Sequence, residues 1–102
     1  MHVDDLANAC LYFIDKKINY SFINVGSSEE ISIKNLVKKL FGIIGYVGKA
    51  KYNMNFPDGT PRKKLDISRI KKMGWSNAIK LNEGLIRTYS EYKRKIGRNI
   101  NI

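Results

Sequence analysis

The stretch "PDGTPRKKLD", residues 57 to 66, sets three successive cations, Arg62, Lys63 and Lys64, on a backbone braced by Pro57 and Pro61. Each proline fixes its own φ at about −65° and biases the residue before it toward extended geometry, so the loop has little freedom left to lose on meeting a ligand. Preorganised cations suit an anion. In an extended run alternate side chains face opposite ways, so Lys63 can enter a cleft while Arg62 and Lys64 point elsewhere. Asp58 and Thr60, on either side of Gly59, can bond to the turn's own backbone. The same residues equally describe a stiff surface turn with solvated cations, and on pattern alone the two readings stay level.

Other reactive chemistries find few residues. Asp4 and Asp5 are neighbours, and on a helix their side chains diverge by about 100°, too far to share a proton as an acid/base pair. They read as partners of the helix dipole. His2 is the one histidine and Cys10 the one cysteine, which leaves no Ser/His/Asp or Cys/His set, no internal disulfide and no typical zinc site. Cys10 sits in an apolar helical stripe and is expected to be a buried thiol. "NVGSS" offers one glycine, Gly26, after a strand-like run, unlike the G-x-G-x-x-G turn of dinucleotide-binding proteins, and reads as a plain turn.

The elements that must position these residues follow from periodicity. Val3, Leu6, Ala7, Cys10, Leu11 and Ile14 share one face of a helix over about residues 3–17, with Asp4 and Asp5 in its first turn and Lys16 and Lys17 in its last. Phe22 to Val25 read as a short strand. Ser32 caps a second helix with an apolar face of Ile33, Leu36, Val37, Leu40, Phe41 and Ile44, ending near Gly45. Residues 49–55 alternate as a half-buried strand would, and strand, helix, strand in this order implies a right-handed crossover and a parallel pair. Asp66 can cap a short helix stopped by Gly74, with Trp75 anchored in the core. A last helix from about Asn82 to Ile96 aligns Leu85, Tyr89, Tyr92 and Ile96, and "GRNINI" is expected to fray.

The expected class is therefore α/β, with about four helices and few strands. Two strands make a marginal sheet, so the 102 residues read as one partial domain of a larger unit. Apolar residues at 43% and charged residues at 27% are the balance of a globular protein. No run approaches the roughly 20 apolar residues of a membrane helix, and the start lacks a signal-peptide pattern, so a cytoplasmic protein with no membrane partner is expected. Nineteen Lys and Arg against nine Asp and Glu give a formal charge of +10, a field that favours phosphates or acidic surfaces. A small basic nucleic-acid-binding module is the alternative. Most of the cations fall on faces expected to be solvated, and no reader motif is present, which argues against it.

"MHVDDLANAC", "FINVGSSEEISIKNLV", "PDGTPRKKLDISRIKKMGW" and "LNEGLIRTY" closely resemble, in unbroken order, the C-terminal portion of the GDP-L-fucose synthase family of extended short-chain dehydrogenase/reductases. The resemblance implies a substrate-binding subdomain at about residues 19–98, preceded by a helix at about 1–18 that packs on a nucleotide-binding Rossmann half missing from this sequence. It implies a GDP-sugar substrate, Lys63 on the pyrophosphate with Arg62 as its neighbour, and Lys49 near the substrate; the substrate subdomain of another nucleotide-sugar epimerase or dehydratase is a further alternative. Pro57, Asp58, Gly59, Thr60 and Pro61 would support the loop. The family turns GDP-4-keto-6-deoxy-D-mannose into GDP-L-fucose by 3,5-epimerisation and NADPH-dependent 4-reduction. Its NADP site, its Ser/Tyr/Lys set and the Cys and His of epimerisation lie upstream of "HVDD", so no cofactor or catalytic residue is expected in this chain, and activity of the chain alone is not expected. Two positions depart from the family pattern: Lys64 stands where an aliphatic residue is common, and Ser28 where glycine is common.

Overall fold

A computed structural model describes residues 1–59 and 64–100, so Thr60, Pro61, Arg62 and Lys63 lie outside the described residues. Four helices run in order: α1 Val3–Phe13, α2 Ile33–Ile44, α3 Ser68–Lys72 and α4 Leu81–Ile100. The chain is flat. Its radius of gyration is 17.4 Å and its thinnest dimension 20 Å, against the radius of about 13 Å of a compact chain of this length. Among the described residues the buried apolar side chains are Ala9, Ile67, Ile70, Trp75 and Ile79.

α1 begins at a histidine cap: the Nδ1 atom of His2 accepts from the Asp4 amide at 3.0 Å, satisfying one of the donors that a helix start leaves open. Asp4 and Asp5 occupy the first turn, as the dipole favours. Asp5 does more than that. Its side chain is 2% exposed and accepts from the amides of Ala78 at 3.1 Å and Ile79 at 3.0 Å. A carboxylate leaving water for two backbone donors is a strong, charge-assisted arrangement, and it joins the start of the chain to the segment entering α4.

The rest of α1 follows from that attachment. Ala9 packs with Ile67, Ile70 and Trp75, with Tyr12 and Phe13 beside them. The Tyr12 hydroxyl donates to the Met73 carbonyl at 2.7 Å. The face so buried is not the apolar stripe: Val3, Leu6, Cys10, Leu11 and Ile14 are exposed, Ile14 to 74%. The expectation of a buried Cys10 thiol is thereby corrected. The helix also stops at Phe13 with no basic residue in its last turn, four residues short of the expected end. The Lys16 ammonium lies 4.1 Å from the Tyr12 ring centroid instead.

Around α3 the stop at Gly74 and the anchor at Trp75 are as expected, whereas the cap position falls on Ile67, with no side-chain cap bond, and Asp66 stands one residue before it. The Asp66 carboxylate accepts from the Ser68 amide at 2.9 Å. Gly74 takes φ of 88°, a left-handed conformation that side chains disfavour, and Trp75 turns back into the core at 6% exposure.

α2 and α4 pack on each other. Ser32 accepts from the Asn35 amide at 3.1 Å, and Gly45, at φ 77°, closes the helix by donating to the Phe41 carbonyl. α4 starts at Leu81, whose amide donates to Glu29 at 2.9 Å, and continues to Ile100, into the tail expected to fray. Leu85 and Tyr89 are half-buried, whereas Tyr92 and Ile96 are exposed. Length explains the difference: at about 1.5 Å per residue, the 12 residues of α2 cannot cover the 20 of α4.

The parallel strand pair is not formed. Among the described residues there is no strand. Phe22 to Val25 are held by side chains: Arg69 Nη1 donates to the Phe22 carbonyl at 3.1 Å, and Asn24 Nδ2 donates to the Asp66 carbonyl at 3.2 Å. Residues 49–55 are exposed throughout, so the half-buried alternation has no layer to face. A strand exists only through a partner's N–H and C=O groups, and neither stretch meets one.

Replacing Asp5 with alanine strands the buried Ile79 amide and the part-buried Ala78 amide, a loss of about 2–3 kcal/mol. Urea unfolding should place Asp5→Ala far below the wild type and Asp5→Asn, which keeps one acceptor, between them. Equal midpoints for all three would remove the clamp from this account.

Candidate functional site

The quoted loop enters the described residues at both ends. Pro57, Asp58 and Gly59 are exposed, and Lys64 resumes the chain on its way into α3. Arg62 and Lys63, the residues expected to meet a pyrophosphate, fall in the part not described, as do Thr60 and Pro61. Lys49 is exposed and is not among the residues lining the cleft at the loop's end.

That cleft, of about 600 Å³, is lined by Ser28, Lys64, Leu65, Asp66, Ile67, Ser68 and Lys71. Close approach of two chain segments makes its floor. A Cβ on Gly26 would stand 3.3 Å from Leu65 Cδ1 and 3.5 Å from Ile67 Cγ2, so the glycine of "NVGSS" lets residues 22–28 lie against 65–67. It is a contact glycine more than a turn. Inward from the cleft, Ile67 and Ile70 are buried in the core.

The charges of the cleft are unequally engaged. Bonding from the Ser68 amide holds the Asp66 carboxyl below the ordinary 3.8, helped by the Ser68 hydroxyl and by the nearby Arg69 and Lys72, against a small cost of desolvation. Lys64 and Lys71 enter no ion pair among the described residues. Lys64, expected to point away from a cleft, lines one.

Arranged in this way, the lining residues offer ammonium and hydroxyl donors suited to an anion. Cys10 is exposed on the apolar face of α1, and His2 Nδ1 is committed to its helix cap. Among the described residues no three His, Cys, Asp or Glu side chains gather as a metal site. No helix among the described residues is long and apolar enough to cross a membrane. Sequence reasoning did not single out Ser28 or Lys71 for the site, since neither lies in the loop. The one signal for Lys71 was its place one turn after Asp66 on a helix whose inward side is Ile67 and Ile70.

No protein-family model matches the chain. Probable GDP-L-fucose synthase 1 of Oryza sativa subsp. japonica is 41% identical over 96 residues, which is 94% of this chain and 29% of the relative. This chain is homologous to the C-terminal part of GDP-L-fucose synthases. Among solved structures, a GDP-6-OMe-4-keto-L-xylo-heptose reductase from C. jejuni matches with a TM-score of 0.81 and 30% identity, covering 93% of this chain and 30% of that one. A GDP-D-glycero-L-gluco-heptose synthase from Campylobacter jejuni, crystallised in the presence of NADPH, matches with a TM-score of 0.75 and 29% identity over 91% of this chain and 29% of that one. These neighbours are extended short-chain dehydrogenase/reductases. The chain spans about 30% of the length of the proteins it matches.

Because the folded-state Asp66 value is depressed, its contribution to stability is present above the unfolded value of 3.8 and is lost as pH falls through the lower folded one. A side-chain NMR titration should place the Asp66 midpoint below the ordinary 3.8, and Ser68→Ala, which removes the hydroxyl but keeps the amide, should raise it part of the way. A midpoint at or above the ordinary value would contradict the bonding described.

Proposed function

We propose that this chain supplies the GDP-sugar-contacting surface of an enzyme that makes GDP-L-fucose, or a closely related GDP-sugar, by epimerisation and NADPH-dependent reduction. The observation that carries the reading is a likeness along nearly the whole chain to a protein named GDP-L-fucose synthase and to solved enzymes each named for a GDP-linked sugar. In this reading Lys63 meets the diphosphate from the proline-braced loop, Arg62 assists it, and Lys49 lies by the sugar. Ammonium and guanidinium bonds to phosphate oxygens are of the strong, charge-assisted kind, and the two prolines lower the ordering cost of making them.

The division of labour follows from the residues present. NADPH supplies the hydride, and the group that holds it belongs to a nucleotide-binding Rossmann part of the enzyme; no residue of this chain is assigned to the cofactor or to proton transfer. The exposed stripe of α1, with Val3, Leu6, Leu11 and Ile14, is the surface on which that part sits. Each such side chain stabilises the contact by about 1.5–3 kcal/mol when fully covered.

Titrating the chain with GDP and with guanosine tests the binding role. GDP should bind more tightly, and Lys63→Ala should weaken GDP about tenfold or more while leaving guanosine unchanged. Equal binding of the two, or a silent Lys63→Ala, would defeat the assignment. Mixed with GDP-4-keto-6-deoxy-D-mannose and NADPH, the chain alone should leave the NADPH absorbance constant; clear turnover would overturn the division of labour.

A further inference from the structure

Positive charge is plentiful on this chain, and among the described residues five cations have a structural partner. Arg87 pairs with Glu83 and Arg94 with Glu91. Arg69 donates to the Phe22 carbonyl and covers the Tyr20 and Phe22 rings. Lys16 and Lys93 lie over Tyr12 and Tyr89. Lys64 and Lys71 take part in none of these contacts, yet they line one concave surface together with the hydroxyl of Ser28. Three separate parts of the chain deliver the three groups: the turn after Val25, the segment leading into α3, and α3 itself.

We infer that this cleft, with Ser28, Lys64 and Lys71 as its donors, is a phosphate-binding subsite additional to the one assigned to Arg62 and Lys63. An ammonium is a compact charge with rotatable donors, so two of them and a hydroxyl can meet a tetrahedral dianion from several sides. The one carboxylate in the lining among the described residues, Asp66, accepts from the Ser68 amide and lies near Arg69 and Lys72; it forms no ion pair with Lys64 or Lys71. Ser28 and Lys64 lie far apart in the chain and meet in this lining.

The site itself stands on these residues. Only the identity of the molecule that bears the phosphate rests on the GDP-sugar reading, and the experiment separates the two. The isotope-labelled chain is titrated with inorganic phosphate, followed by its amide resonances, and GDP is then added. Phosphate should shift Ser28, Lys64 and Lys71. The double variant Ser28→Gly, Lys64→Leu, which changes two exposed side chains and so should fold, is expected to weaken phosphate about tenfold or more, and Lys71→Ala to do likewise. Lys95→Ala removes one charge from exposed α4 and should change the affinity less than twofold. An unaltered double variant, or an equal loss in Lys95→Ala, overturns the subsite, the latter by reducing it to net charge. Displacement of phosphate by GDP supports the site with the nucleotide as bearer, and simultaneous binding supports it with a separate phosphate ligand. Phosphate binding without GDP binding supports the cleft and counts against the GDP-sugar reading alone.

Discussion

A single buried carboxylate closes this structure. Asp5 is 2% exposed and receives the amides of Ala78 and Ile79, joining groups that stand more than 70 residues apart in the sequence. Removing a carboxylate from water is costly unless its oxygens are bonded; here both are, so α1 has one favourable seat, against the segment between α3 and α4. Three neighbouring contacts depend on that seat. His2 meets Gly84, where a Cβ would lie 3.4 Å from the His2 Cβ; Ala9 meets Ile70 and Trp75; and the Tyr12 hydroxyl meets the Met73 carbonyl. With few apolar residues fully buried, polar contacts of this kind carry an unusual share of the specification of the fold.

Much of this was legible in the sequence, and the rest failed for identifiable reasons. α2 was readable at both ends because Ser32 and Gly45 act through local backbone geometry, which needs no tertiary context. The short helix after Asp66, its stop at Gly74 and the burial of Trp75 were readable on the same grounds. The face of α1 was not. Periodicity shows that a helix has an apolar stripe, but which side meets this chain depends on distant partners, and the small Ala9 and the acid Asp5 won over Leu6 and Leu11. Asp5 was taken for a dipole partner since its true partners are backbone amides, which no side-chain pattern reveals. The strands at 22–25 and 49–55 were over-read for a related reason: alternation describes a side chain's surroundings, and a strand also needs a neighbour. Of the candidate site, Arg62 and Lys63 lie outside the described residues, Lys64 was read as pointing elsewhere and lines the cleft, and Ser28 and Lys71 came into view only when two segments were seen to converge.

The same core that Asp5 closes is what gives the cleft a fixed wall. Ile70 is completely buried, so its neighbour Lys71 leaves α3 from a point that cannot drift. Ile67, buried at 8% exposure, does the same for Ser68 and the bonded carboxylate of Asp66. Lys64 reaches the cleft across Leu65, whose side chain rests against Gly26. Cationic donors at this site are therefore attached one residue away from, or directly across, groups that the core immobilises. In the proposed function, the loop that carries Arg62 and Lys63 uses another device, two prolines, to the same end. Long, flexible side chains bind anions tightly only when their backbones are already in place, and in that reading the two regions meet the need from different sources, one by packing and one by covalent restriction of φ at Pro57 and Pro61. That difference sets how each should respond to damage elsewhere: loss of the Asp5 clamp loosens the wall that bears Lys71 but leaves the φ restriction at Pro57 and Pro61 untouched.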